Sequence, residues 1–193
     1  MSYAQHDYVE STDEEIIVLY KNGNGEAFKS LINRYISPLY NFTARITNKD
    51  DAPDIVSETF IKAWKNINRF NEQKASFKTW IFTIARNTAI DFLRKKRNVL
   101  FSNMKNSDED INSFEENIPD EQILPDIALQ KLQDEEFLNK TLNGLESGYR
   151  EVLVLHYQEE MTFVEIGKIL NKPLNTVKSQ HRRALIELRK KLS

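Results

Sequence analysis

The sequence predicts an all-α protein: two small helical domains joined by an acidic linker, with a helix-turn-helix in the C-terminal domain. Apolar residues recur at steps of three and four along most of the chain, which is the spacing that gives a helix one buried face. Two of these segments follow capping-box sequences, Thr12 with Glu15 and Thr162 with Glu165. From residue 98 to about residue 125 this periodicity is lost, and Asn, Ser, Asp and Glu accumulate. The predicted units are an N-terminal domain, a linker and a C-terminal domain, at residues 1–98, 99–125 and 126–193.

Four helices are expected in the N-terminal domain. The first follows Thr12 and stops at the Asn-Gly-Asn-Gly sequence of residues 22–25, and the second begins at Glu26. We expect the second helix to break near Pro38, because proline lacks the backbone N–H that a helix interior needs.

The third helix opens at the Asp-Ala-Pro-Asp sequence of residues 51–54, since Asp caps helices and Pro is tolerated in the first turn. Its core-facing side is expected to include Phe60, Ala63 and Trp64. The opposite face carries four other residues, Asp54, Glu58, Ile61 and Lys65. Two acids that flank an exposed Ile indicate either an ordinary solvated face or a docking strip for a basic partner. Nothing in the neighbouring sequence decides between these interpretations.

The fourth helix is expected from Ser76 to Asn98, with Ser76 as its N-cap and an apolar stripe that begins at Phe77. It is expected to end in the cations of residues 94–97, which suit the negative end of the helix dipole. Cations, hydroxyl groups and an aromatic ring stand together beside this helix start: Lys74, Lys78, Phe82, Thr83 and Arg86. That mixture favours binding of single-stranded nucleic acid over a merely solvated helix end, since the backbone needs charge and the bases need stacking.

The last 50 residues predict a helix-turn-helix. A short helix follows the capping box at Thr162, Asn171 suits a left-handed position after it, and Pro173 suits the first turn of a long basic helix. Gly167 lies where the two helices must approach closely. The outward residues of the last helix are Asn175, Thr176, Lys178, Ser179, Gln180, Arg182 and Arg183. Their donors suit base edges and phosphates, which favours DNA recognition over simple bundle packing.

The net charge of −2 hides an uneven distribution. Residues 98–136 contain 11 acidic and 2 basic side chains, whereas residues 168–193 contain 8 basic and 1 acidic side chains. We therefore expect two anion-binding surfaces separated by a solvated connector. We also expect a compact free state in which five connector acids partly cover the basic surfaces: Asp108, Glu109, Asp110, Glu115 and Glu116.

Several functional classes find no support in the sequence. There is no Cys, and the three His residues are scattered, so no disulfide, metal or other cofactor is expected. No Gly-rich phosphate loop or nucleophile–base set indicates an enzyme. The polar, acidic N-terminus is unlike a signal peptide and no apolar run approaches the ~20 residues of a membrane span, so we expect a cytoplasmic protein without membrane insertion.

Three stretches carry a resemblance to a known family. They read DAPDIVSETFIKAW at residues 51–64, FKTWIFTIARNTAIDFLRKKR at residues 77–97 and TFVEIGKILNKPLNTVKSQHRRAL at residues 162–185. In this order and spacing they resemble the extracytoplasmic-function (ECF) sigma factors, the small promoter-recognition subunits of bacterial RNA polymerase. The resemblance covers about residues 12–98 and 126–192 and leaves the acidic connector outside.

The resemblance implies a non-enzymatic initiation factor that gives core RNA polymerase its promoter specificity and helps to open DNA. It implies contacts with the clamp helices of the largest polymerase subunit and with the flap region, and a possible anti-sigma factor. The docking strip would be Asp54, Glu58, Ile61 and Lys65. The residues facing a melted −10 element would be Lys74, Ser76, Lys78, Thr79, Thr83, Arg86, Asn87, Ile90 and Arg94, with residues 74–79 lining a pocket for a flipped base. The residues facing a double-stranded −35 element would be Asn175, Thr176, Lys178, Ser179, Gln180, Arg182 and Arg183.

Three positions depart from the family pattern. Ser57 stands where the family usually has Gln, and Gln180 and His181 replace residues that are more often Arg and an apolar group. An alternative from another class is a dimeric repressor that uses only the C-terminal motif. No sustained heptad supports self-association, and the aromatic and basic fourth helix would then lack a role.

Overall fold

The computed structural model describes residues 10–101, 142 and 144–192. Four helices form the N-terminal half: α1 Asp13–Lys21, α2 Gly25–Ile46, α3 Ala52–Asn66 and α4 Phe77–Phe101, with a 3₁₀ turn at Ile67–Arg69. The C-terminal half contains α5 Ser147–Leu153, a π-helical turn at Val154–Gln158, α6 Phe163–Leu170 and α7 Leu174–Leu192. The predicted all-α class is confirmed for the described residues. The linker, the five connector acids and residues 126–141 of the predicted C-terminal domain lie outside them, so the domain boundaries stay a prediction.

The predicted helix starts are present in the structure, but the cap expected from Asp51 at α3 is wrong, because its side chain makes no capping hydrogen bond. Thr12 and Glu15 exchange both capping-box hydrogen bonds at α1, and Thr162 and Glu165 do the same at α6. The Ser76 side chain accepts the backbone N–H of Thr79 at 3.2 Å, as an N-cap does.

The break expected near Pro38 is wrong, because α2 continues through it from Gly25 to Ile46. An internal proline costs a helix ~3 kcal/mol through a lost hydrogen bond and a steric clash. Here the turns on both sides bury large apolar side chains, with Leu31, Leu39 and Phe42 fully enclosed. Burial of each such side chain contributes ~1.5–3 kcal/mol, which offsets the cost of the proline.

The end expected for α4 at the basic run of residues 94–97 is also wrong, because the helix continues to Phe101. No Gly or Pro follows Arg97 to stop it. The Lys96 ammonium forms an ion pair at 2.8 Å with Asp51 at the start of α3, and this contact lowers the pKa of that carboxyl group. The cations therefore lie inside the helix instead of matching its negative end.

Two aromatic residues differ from the prediction in whether they are buried or exposed. Trp64, expected in the core, is 53% exposed, and its indole N–H donates to the Tyr20 hydroxyl at 2.7 Å. Phe82, expected beside nucleic acid, is fully buried with its ring centroid 5.2 Å from that of Phe42. The reason for the second error is that α4 is covered both by α2 and α3 and by α6, so more than one stripe of the helix is buried.

The helix-turn-helix forms as expected. Asn171 adopts the left-handed conformation with φ 53° after α6. A Cβ on Gly167 would lie 2.9 Å from the backbone oxygen of Lys172, which confirms the close approach at this glycine. Before the motif, α5 runs into a π turn, in which the Glu159 N–H donates to the Val154 carbonyl at 3.2 Å.

Both halves contribute to one contiguous apolar core. α6 packs on α4, and α5 packs on α2. Among the described helices, none combines the length and the apolar character needed to cross a bilayer. The packing of α6 on α4 determines which of the predicted site residues are open to a ligand.

Candidate nucleic-acid interface

Arg86 lies in the middle of α4 and points toward the C-terminal half. Its Nε atom is 2.6 Å from Oε2 of Glu151 in α5. Only 17% of the Arg86 side chain and 8% of the Glu151 side chain are exposed. Charged side chains are rarely this buried unless they are paired, so the pairing of these two groups compensates for the cost of burying their charges.

Lys78 makes a second contact of the same kind two turns earlier. Its ammonium group donates to the backbone carbonyl of Glu159 at 2.6 Å and lies 3.4 Å from the carboxylate of that residue. Burial raises the pKa of the Glu159 carboxyl, while Lys78 opposes that shift. The π turn after α5 brings Glu159 to this position.

The start of α4 is also in contact with the helix-turn-helix. Thr79 is buried, with 2% of the residue exposed, and its hydroxyl donates to Oε1 of Glu165 at 3.5 Å. The Lys168 ammonium donates to the backbone carbonyl of Lys74 at 2.7 Å. Thr83, one turn further, is half-buried and donates to the Thr79 carbonyl at 2.7 Å. Ser76 and the Lys74 side chain remain at the surface.

The remaining predicted residues of α4 are open. Asn87, Ile90 and Arg94 are exposed, and the Arg94 guanidinium makes an exposed pair at 3.0 Å with Asp91. Of the predicted −10 residues, Lys78, Thr79 and Arg86 therefore contact the C-terminal half through their side chains. The side chains of Lys74, Ser76, Asn87, Ile90 and Arg94 are exposed.

A cavity of about 430 Å³ lies beside the start of α4, between α1 and the preceding loop. Residues 68–73 line it together with Glu14, Ile17, Val18 and Lys21. Residues 68–73 carry the Arg69 guanidinium, the Phe70 ring and four other polar side chains. Residues 74–79, which the family resemblance places around a flipped base, do not line this cavity.

The predicted −35 residues on α7 differ in how exposed they are. Asn175, Lys178 and Ser179 are exposed, whereas Thr176, Gln180, Arg182 and Arg183 are half-buried. Gln180 reaches back toward α5: its Nε2 atom would lie 3.3 Å from a Cβ on Gly148, and its Oε1 atom is buried without a hydrogen bond. In this conformation the Gln180 amide does not face outward.

His181 anchors α7 to the turn before α6 through a cluster of rings. Its Nε2 atom lies 3.1 Å from the Tyr157 hydroxyl, and its ring is packed at 5.1 Å from His156 and 5.0 Å from Phe163. Burial, with a smaller repulsion from His156, lowers the pKa of His181 to about 4. His181, one of the departures from the family pattern, is thus a packing residue in the structure.

The outer face of α3 presents the predicted docking strip as a continuous exposed surface. Asp54, Glu58, Ile61 and Lys65 are all exposed, with Ile61 at 44%. Trp64 extends the apolar part of this surface. The hydroxyl of Ser57 donates to the Pro53 carbonyl at 2.9 Å, so it is engaged within its own helix.

Glu151 and Glu159 were not singled out from the sequence. Glu151 follows Arg150 and precedes four apolar residues, and Glu159 stands in the polar Gln-Glu-Glu sequence of residues 158–160. The available signal was an acid at the start of an apolar run, but its partner on α4 is 65 residues away in the chain. Only the packing of the two halves identifies such a pair.

Comparison with known proteins identifies both halves. Residues 31–99 match Sigma-70 region 2, and residues 141–190 match Sigma-70, region 4. The ECF RNA polymerase sigma factor SigW of Bacillus subtilis (strain 168) is 33% identical over 173 residues, which cover 89% of this chain and 92% of SigW. The ECF RNA polymerase sigma-E factor of Haemophilus influenzae is 27% identical over 179 residues, with coverage of 90% and 91%.

The fold also matches a solved structure, the sigma factor RpoE from Bartonella quintana in complex with the anti-sigma factor NepR. The TM-score is 0.64 at 27% identity, with 86% of this chain and 97% of that chain covered. Both sigma-70 regions are thus present, and a relative matches at one-third identity over nearly its whole length. The chain therefore belongs to the ECF subfamily of RNA polymerase sigma factors.

Proposed function

We propose that this sigma factor, which directs core RNA polymerase to promoters, divides its task among three surfaces of its described residues. The outer face of α3 docks on polymerase, α4 holds the melted −10 strand, and α7 contacts the −35 duplex. The observation that carries the proposal is the line of Arg86, Ile90 and Arg94 along α4, in which cations alternate with an exposed apolar side chain. Beside it lies the cavity at the start of the helix.

Docking through α3 is supported by the mixed character of its outer face. Exposed Ile61 and Trp64 offer apolar area, and Asp54 and Glu58 offer negative charge around it. Such an arrangement suits a basic helical partner, because complementary charges steer the encounter and apolar contacts stabilise the complex. The proposed partner is the pair of clamp helices in the largest polymerase subunit.

Strand binding by α4 is supported by charge and by shape. Cations at Lys78, Arg86 and Arg94 suit the phosphates of a single strand. Taking a base out of the stack costs a few kcal/mol, which a pocket can offset by enclosing the base. The cavity lined by residues 68–73 offers such a space, with the Phe70 ring and several hydrogen-bonding side chains on its wall.

Duplex recognition by α7 is supported by the exposed donors and acceptors on its N-terminal turns. Asn175 and Ser179 lie one turn apart on the same face, and Lys178 adds a cation next to them. The N-terminal residues of the second helix are the ones that contact base edges in a helix-turn-helix.

The proposed role requires no bond to be made or broken by the protein, so we propose a non-enzymatic initiation factor that acts beside polymerase in the cytoplasm. The matched structure of RpoE contains an anti-sigma factor. By this likeness we include an anti-sigma factor among the proposed partners.

Run-off transcription with core polymerase tests the strand-binding part of the proposal. Its templates are promoter fragments recovered with the wild-type protein, each prepared both as a full duplex and as a heteroduplex already unpaired at −10. The variant Asn87→Ala with Arg94→Ala is expected to lose most of its activity on the duplex and to retain more on the heteroduplex, since less melting is then required. Lys29→Ala, on the exposed surface of α2, is the matched control. Equal losses on both templates, or none, would reject the role of α4 in opening.

A further inference from the structure

The side chain of Gln180 in α7 is turned away from the outer face of its helix and toward α5. Its Nε2 atom lies beside Gly148, 3.3 Å from the place that a Cβ of this glycine would take. We propose that Gly148 is a positioning residue for −35 recognition, because the space left by its missing side chain lets the Gln180 amide withdraw from DNA. This inference rests on the proposed role of α7 in contacting the −35 duplex.

The backbone of Gly148 does not itself require a glycine. Gly148 is the second residue of α5, and its φ angle lies outside the left-handed region. Apart from proline, glycine has the lowest helix propensity, so the helix alone would favour another residue. The contact with Gln180 supplies a reason for the glycine, since a Cβ at 3.3 Å would be closer than the ~3.5–4.0 Å optimum of nonbonded contacts. The missing side chain therefore permits the inward position of Gln180.

The inward position of the Gln180 amide is only weakly stabilised. Its Oε1 atom is buried and has no hydrogen-bond partner among the residues that the structure describes. A buried acceptor without a hydrogen bond is destabilising, because it has lost its contacts with water. In the outward position, the same amide could pair with an adenine through two hydrogen bonds. The Gln180 side chain can therefore exchange between the two positions at small cost.

The outward position would add an amide to the surface proposed to contact the −35 duplex. Thr176, Gln180 and Arg183 follow at steps of four and three along α7, so they share one stripe of the helix. Asn175 and Ser179 form the neighbouring exposed stripe. An outward Gln180 that faces a base other than adenine leaves polar groups unpaired, whereas a withdrawn one tolerates any base. Gly148 thus sets how strictly one −35 position is read.

Two charged side chains also adjoin the space at Gly148. A Cβ there would lie 3.7 Å from Nζ of Lys172 and 4.0 Å from Oε1 of Glu146, which are ordinary contacts. A larger side chain at this position would therefore press first on Gln180. If Lys172 also moved, its charge would change the binding of all DNA sequences alike, because phosphate contacts carry no base information.

The test is transcription by core polymerase from a promoter library randomised at −35, in which the RNA yields give the base preference at each position. Gly148→Met fills the space, and Gly148→Ala narrows it. We expect Gly148→Met to raise the preference for adenine at one −35 position by about fivefold or more, and Gly148→Ala to raise it less at the same position. Gly25→Met, in the open first turn of α2, is the matched control and is expected to keep the wild-type preferences.

Removal of the Gln180 amide shows whether Gly148 acts through it. Gln180→Ala and the combination of Gly148→Met with Gln180→Ala are expected to share one profile, without the added adenine preference. An effect of Gly148→Met that survives Gln180→Ala would overturn the inference, as would a folded Gly148→Met protein with wild-type preferences. Circular dichroism verifies folding. If Gly148→Met does not fold, Gly148→Ala decides by the same two criteria.

Nuclear magnetic resonance of the free, isotope-labelled protein observes the inward position directly. We expect Overhauser cross-peaks between the side-chain amide protons of Gln180 and the α protons of Gly148, and their absence would contradict the inference. Asn175→Ala separates this inference from the proposed function. If Asn175→Ala changes the −35 preferences and neither Gly148 variant does, only the role of Gly148 is rejected. If none of the α7 variants changes them, the proposed reading by α7 is rejected as well.

Discussion

Gly167 illustrates how closely the turn of the helix-turn-helix approaches α6. A Cβ at this position would lie 2.9 Å from the Lys172 carbonyl oxygen, which belongs to the backbone and cannot rotate away. We expect Gly167→Ala to destabilise the protein by ~1–3 kcal/mol, as overpacked sites do. Thermal unfolding followed by circular dichroism should show a midpoint lower by ~2–4 °C per kcal/mol in a chain of this size.

Gly25→Ala provides the control for this measurement. Gly25 is the first residue of α2, and nothing lies within 4 Å of a Cβ built there. Ala has the higher helix propensity, so the unfolding midpoint should stay the same or rise slightly. Equal midpoints for the two variants would show that the turn relaxes more easily than the structure indicates.

The ring cluster around His181 predicts a dependence of stability on pH. The pKa of His181 is lowered from 6.5 to about 4, so the unfolded chain takes up a proton in this window and the folded chain does not. The stability from this residue is therefore complete above pH 6.5 and is lost as the pH falls toward 4. His181→Gln, which keeps a donor near Tyr157, should lose less stability over the same range. Parallel stability profiles from denaturant titrations between pH 7 and pH 4 would contradict this prediction.

At the residue scale, the sequence predicted the roles that depend on residues close by in the chain. Ser76, Asn171 and Gly167 have the local roles that their types and positions indicated. Phe82 and Trp64 were assigned to the wrong sides, because a helical wheel does not show how many neighbours cover a helix.

The strip on α3 predicts a loss of binding without a loss of fold. Asp54 and Glu58 are exposed, and Glu58 forms an exposed pair with Lys62 at 3.8 Å. Changing both acids to Lys should therefore alter the free energy of unfolding by less than ~0.5 kcal/mol. Binding to core polymerase, measured by interferometry, should be abolished. Glu10→Lys with Glu26→Lys makes the same charge change elsewhere and should bind normally; a folded α3 variant that also binds normally would reject the docking strip.

The exposed face of α7 predicts a change in promoter preference. An Asn side chain pairs with adenine through two hydrogen bonds, worth ~1–3 kcal/mol or roughly 5- to 150-fold in discrimination. Asn175→Ala should relax the preference at one −35 position by an amount in this range. Lys190→Ala, near the end of the helix, should weaken binding of all sequences equally. Transcription from a library randomised at −35 distinguishes the two outcomes, and an unchanged ranking with Asn175→Ala would remove Asn175 from the contact set.

At the element scale, the number and order of the described helices could be predicted, because amphipathic spacing and caps are local properties. The continuity of α2 through Pro38 could not, since it depends on how much apolar surface the tertiary fold buries on either side. The extension of α4 past its basic run was missed because cations were taken as a helix end, although no residue there stops a helix.

At the scale of the whole molecule, the residues of the three surfaces were predicted from the sequence. Which of those residues the other half of the chain covers was not predicted. Arg86 and Glu151 form an ion pair although they are 65 residues apart in the sequence, and no sequence spacing predicts such a pair. The acidic cover expected from the connector lies outside the described residues. Within the described residues, the cover comes from α5, the π turn and α6. The structure thus adds two ion pairs between the halves, Arg86 with Glu151 and Lys78 with Glu159, which the sequence motifs did not indicate.

The central claim is that this sigma factor confers promoter choice on core polymerase. The most direct measurement is transcription of fragmented genomic DNA by core polymerase with and without the protein, followed by sequencing of the RNA 5′ ends. The account predicts discrete new start sites that share two sequence elements at fixed upstream distances and that disappear with the Asp54→Lys, Glu58→Lys variant. Start sites that are the same with and without the protein would contradict it.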